Sequence, residues 1–272
     1  MPVFSYPLHA QLMSLLLTAT PVLILFVIGG GMLRSRLNPS VLPPVPLFPG
    51  AVFPNVFDWL YTSFFILFTV LGALTMLGTP PPSGLSASTL LMNVGLQFTV
   101  YLPFIIRFSL LPSPERPHLG IGKTLLYLLT ALLVIIVPAA LMDHSGFNSW
   151  LMEKTGCPEL QDIVVMFRDG TPARRGVIAL AAVAMAPVCE EIVYRGFIYN
   201  LLKRYSSRWT AILLSALMFS VIHASLAQTA ALTIFGCVQC ILYDKARSLW
   251  LPITLHAVYN SITLILILVL PY

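Results

Sequence analysis

Charge is what this sequence most lacks: 9% of its 272 residues are Asp, Glu, Lys or Arg, while 58% are hydrophobic. A soluble domain of this length carries about 25% charged residues to cover its surface. With no long polar region either, the chain has no room for a separate soluble domain. Alternating polar and apolar stretches of strand length are absent too, which argues against a membrane barrel and for a helical bundle. No internal repeat is evident. Cysteine is scarce, and of Cys157, Cys189, Cys237 and Cys240 only Cys157 falls in a polar segment, so no disulfide between loops is available. Cys237 and Cys240 form a C-x-x-C inside an apolar run, where they read as packing residues rather than a redox or zinc pair.

What is present is a series of apolar runs, with a mean hydropathy of +0.89. A helix of about 20 residues crosses a hydrocarbon core. On that length the chain is expected to be all-α, a polytopic transmembrane bundle of about eight spans near 10–33, 57–78, 88–110, 121–142, 176–203, 208–224, 228–243 and 249–270. The net charge of +5 does not indicate nucleic acid, because the basic residues sit in short clusters between apolar runs. Lipid is the implied partner. The first run has no basic residue before it and is followed by Arg34 and Arg36, which suits a retained span rather than a cleaved signal.

Three regions are expected: spans with a proline-rich linker (Asn38 to Pro54) over 1–142, a polar loop over 143–175, and a helical core over 176–272. An uncharged turn, Gly78 to Gly84, joins the second and third spans. With eight spans, Arg34, Arg36, Arg107, Arg116, Lys123, Lys203, Arg204, Arg208, Lys245 and Arg247 share one side. Lys154, Arg168, Arg174 and Arg175 take the other, so the first side is expected to be cytoplasmic, with both termini outside. That assignment inverts with a change of one span.

The informative residues are polar ones inside apolar helices, where an ionisable group costs about 2.5–3.5 kcal/mol on insertion scales and needs a partner or a task. The fifth span carries Pro187-Val188-Cys189-Glu190-Glu191-Ile192-Val193-Tyr194-Arg195. Glu191 and Arg195, four apart, lie one above the other and can pair. Glu190 points about 100° away, toward its own neighbour Tyr194. One carboxylate is thus neutralised and the other left free, and Pro187 one turn earlier suggests a kink that widens a cavity. The sixth span holds Phe219 and His223 on one face, and the last holds His256 and Asn260 on one face. A lone apolar-helix histidine is usually a packed residue, but two of them with Asn260 and a free Glu190 on three late spans point to a shared site. Counted from their basic ends, Glu190 and His223 lie about 20–22 Å deep and His256 only about 10 Å, a mismatch the sequence leaves standing.

These residues resemble the CAAX prenyl protease type II and bacteriocin-processing (CPBP) membrane protease family. The family pattern E-E-x-x-x-R, F-x-x-x-H, H-x-x-x-N falls on Glu190-Glu191 to Arg195, Phe219 to His223 and His256 to Asn260, over about Gly176 to Leu270. The resemblance implies peptide-bond hydrolysis within the membrane, a membrane-associated or lipidated peptide substrate, and catalysis by Glu190, His223, His256 and Asn260. Glu191, Arg195, Tyr194 and Phe219 would support them. Glu190 would activate water, His223 orient it, and Asn260 with His256 stabilise the oxyanion. No cofactor is favoured, although Glu190, His223 and His256 form a ligand set that Zn²⁺ accepts. A thiol mechanism through Cys189 is disfavoured by its apolar setting. A non-cleaving scaffold or bacteriocin immunity factor and a proton-coupled transporter are the alternatives from other classes. The active site is expected to open to the cytoplasmic side.

Overall fold

The computed structural model describes residues 7–38, 56–76, 86–109, 119–158 and 161–269. Most of the proline-rich linker, the 78–84 turn and Arg116 lie outside the described residues. Among those described, the chain is helical throughout and contains no strand. The helices are α1 (Leu8–Leu37), α2 (Val56–Met76), α3 (Ala87–Ser109), α4 (Ile121–His144), α5 (Phe147–Thr155) and α6 (Asp162–Arg168). They are followed by α7 (Pro172–Tyr205), α8 (Arg208–Val221), α9 (Leu226–Ala246) and α10 (Trp250–Val269).

Apolar residues face outward in a way that water would not permit. In α4 only Ala131 and Ile135 are buried, while Leu125, Leu126, Leu129 and Leu133 are each more than half exposed. A surface of this kind is stable only against lipid. The chain is accordingly a multi-pass helical membrane bundle.

The span count is corrected. Six described helices are long and apolar enough to cross a membrane: α1, α3 (as Ala87–Arg107), α4, α7, α9 and α10. Shorter apolar stretches, Thr62–Thr75 and Arg208–Val221, stand where two of the eight expected spans were placed. The 14 residues of α8 rise only about 21 Å, less than a hydrocarbon core. The chain then turns back through His223 and Ala224, the latter at φ 52°, before α9 begins. Hydropathy registers apolar length, and this hairpin is apolar without being long.

The expected 143–175 loop holds α5, α6 and the start of α7. Thr171 caps α7, its side chain accepting from the Arg174 amide, with Pro172 at the first helical position. Within α7, two stretches wind as π-helix, Ala181–Met185 and Ile192–Tyr199, on either side of the segment bearing both glutamates. Helices α8 and α9 pack closely: a Cβ on Gly236 would lie 2.8 Å from the Ala216 Cα. The core beneath is aromatic, with Phe219 stacked on Phe235 at 5.7 Å and Tyr194 edge-on to Phe219 at 5.3 Å.

Candidate active site

The glutamates of α7 divide as their spacing predicts. Glu191 is fully buried and its Oε1 takes Arg195 Nη1 at 2.9 Å. The same oxygen accepts from His256 Nδ1 at 2.9 Å and from Gln239 Nε2 at 3.2 Å. Arg195, itself fully buried, also donates from Nη2 to the Gly236 carbonyl at 3.3 Å, and its guanidinium lies 4.7 Å over the Phe219 ring. Glu190 points elsewhere, into a cavity, and its buried Oε2 has no hydrogen-bond partner within the protein. The nearest basic group is His256, whose Nε2 is 3.9 Å from that oxygen.

The expected difference in depth does not hold: His256 stands beside Glu190, Nε2 to Oε2 at 3.9 Å. Lys203 and Arg208 both meet Asp244 at 2.7 Å, so α7, α8 and α9 share that end.

Both histidines are oriented by the partner of Nδ1. Carboxylates and carbonyls only accept, so His256 holds a proton on Nδ1 for Glu191. His223 likewise holds one for the Phe219 carbonyl, 2.8 Å away. In each neutral ring the lone pair is then on Nε2. Phe235 meets the His256 ring edge-on at 5.0 Å, and Phe219 lies 4.8 Å from that of His223. The turn that ends α8 is what frees His223 to line the cavity.

Asn260 is placed by a backbone defect. In a π-helix each carbonyl takes the N–H five residues on, so Ala182 O would be served by residue 187, which is a proline without one. Asn260 Nδ2 supplies the missing donor at 2.7 Å. One of its hydrogens is thereby engaged; the other hydrogen and Oδ1 remain. Tyr194 is fully buried and makes no hydrogen bond to Glu190; its hydroxyl has no partner within the protein.

The cavity measures about 520 Å³ and is lined by Glu190, His223, His256 and Asn260 amid largely apolar walls. It runs along α10 from His256 through Tyr259 and Thr263 to Ile267, and Asn148 of α5 and Gln161, just before α6, also line it. That direction leads away from the end where Lys203, Arg208 and Asp244 meet. All four thiols are free, and Cys189 is buried. Among the described residues no three His, Cys, Asp or Glu side chains gather as a metal-ligand set. Glu190 Oε2 and His256 Nε2 stand 3.9 Å apart, and the three protein ligands that catalytic zinc takes are not drawn together there among the described residues. Gln239 is the site contact that motif reading missed, since an isolated glutamine in an apolar run carries no pattern.

Fold and site together define a membrane-embedded bundle with a free carboxylate facing imidazole inside an apolar cavity. Residues 173–262 match the family model described as type II CAAX prenyl endopeptidase Rce1-like, in agreement with the CPBP family that the motifs resemble. The chain is also similar to "Putative membrane peptidase YdiL" of Bacillus subtilis (strain 168), 29% identical over 82 residues, which is 30% of this chain. The aligned part spans about a third (34%) of that relative's length. No solved structure matches the chain.

Proposed function

We propose that the protein is an intramembrane endopeptidase that hydrolyses membrane-associated or lipidated peptides, CAAX-type C-terminal processing or a related cleavage, using water activated by Glu190. The observation that carries the reading is the buried Glu190 Oε2, without a protein partner and 3.9 Å from His256 Nε2 at the wall of a cavity. A carboxylate kept unpaired inside a membrane is costly, and general-base work explains its retention.

In this mechanism Glu190 takes a proton as water attacks the scissile carbonyl and returns it to the departing amine. The bare Nε2 of His223 accepts a hydrogen bond from the water and orients it. His256, its Nδ1–H on Glu191, turns Nε2 toward Glu190 and the attacking water, and the remaining Asn260 N–H donates to the oxyanion. Glu191 and Arg195 hold His256 without touching substrate. No step of this mechanism is routed through a metal.

The test compares peptide termini in membranes from cells expressing wild type or Glu190→Gln, by unbiased terminal proteomics. Termini that require Glu190 are expected and would name the substrate. Identical termini, with both proteins folded and abundant, would leave a peptide-binding scaffold or immunity protein instead.

A further inference from the structure

One fully buried polar side chain outside the motifs touches the site. Gln239, on α9, is 0% exposed. Its Nε2 carries two hydrogens and uses both, toward Glu191 Oε1 at 3.2 Å and the Pro252 carbonyl at 3.0 Å. Both neighbours are acceptors, so the nitrogen and not the oxygen of the amide must face them.

The two acceptors bear on the same residue. Glu191 Oε1 holds the His256 ring through Nδ1. Pro252 lies one turn before His256 on α10, and its carbonyl is the helical acceptor for the His256 backbone N–H. A single amide therefore grips the carboxylate that orients the ring and the turn that carries it. Arg195 does not do this: it pairs with Glu191 from the same helix, four residues on, and ties nothing to α10.

We propose that Gln239 is a positioning residue for His256, locking α7 and α10 in register so that the ring keeps its proton on Nδ1 and aims Nε2 at Glu190. Its effect on turnover rests on the proteolytic reading above; its effect on the imidazole does not. Without Gln239, Glu191 keeps Arg195 but the carbonyl under His256 loses its second bond, and the ring gains freedom to change tautomer.

The test is ¹⁵N-imidazole NMR of the full chain in lipid nanodiscs, for wild type, Gln239→Leu and Gln239→Asn, with the His256 signal assigned by its loss in His256→Gln. Asn is one methylene too short to reach both acceptors, so it serves if the Leu variant does not fold. Wild type is expected to show one His256 tautomer, protonated at Nδ1. Either variant should show a mixed or shifted His256 signal while His223, bound to the Phe219 carbonyl, keeps its own. On a fluorogenic peptide copied from a wild-type cleavage site, kcat should fall about 10–100-fold, the scale of a small misplacement of a reacting group, with KM changed little. An unchanged His256 tautomer overturns the proposal, as does a shifted tautomer with unchanged kcat. If no peptide is cut by wild type, the proteolytic reading fails while the tautomer measurement still decides the role of Gln239.

Discussion

Glu190 and Glu191 are chemically identical neighbours with opposite circumstances: one accepts from three donors, the other meets only an imidazole nitrogen at 3.9 Å. Their separation was legible in the sequence because helical spacing alone assigns Arg195 to Glu191. Replacing Glu190 with Gln should lower turnover by about 10²–10⁴, the range for a general base, with the thermal transition little changed. That Asn260 shares a face with His256 was legible, but its bond to Ala182 was not, because nothing in the sequence announces a π turn. That bond makes a separate prediction. Asn260→Leu should destabilise by about 1–3 kcal/mol, since it strands a carbonyl. Pro187→Ala, which restores an N–H five residues beyond Ala182, should recover part of that loss. A double-mutant cycle by denaturation checks it, and strict additivity would argue against the pairing.

Helices α8 and α9 illustrate where a hydropathy reading stops. Both are apolar, yet only α9 is long enough to cross, and the turn between them is what delivers His223 to the cavity. Apolar composition could not reveal this, because depth depends on where a helix ends and not on how oily it is. Their close approach depends on Gly236. Gly236→Leu should cost at least about 1–3 kcal/mol through overpacking against Ala216, read as a lowered midpoint in thermal unfolding. At the other end of the same pair, Asp244 gathers Tyr199, Lys203 and Arg208, with oxygen contacts of 2.7–2.8 Å. Asp244→Asn should loosen α7, α8 and α9 together, seen as faster amide exchange near Tyr199 and Arg208 with the Glu190 end less affected.

Across the whole molecule, helical class and membrane residence were readable from composition and the length of the apolar runs. Span number was not, and sidedness depends on it. Because α7 runs from the α5–α6 segment to the Lys203 cluster, Lys154→Cys and Lys245→Cys should react with a membrane-impermeant maleimide from opposite faces; both positions are exposed. Reaction from one face would contradict the crossing. Chelator should leave proteolysis intact, given that no three ligands gather among the described residues; loss with chelator and recovery with zinc would reverse that. The cavity has one more implication. From His256 to Ile267 its wall along α10 extends about 16 Å, room for about five extended residues. No Lys or Arg lies among its described lining residues. A chain threaded to Glu190 along that wall would be measured more than read: the cut would fall at a set depth below one surface, tolerant of side chains but strict about reach.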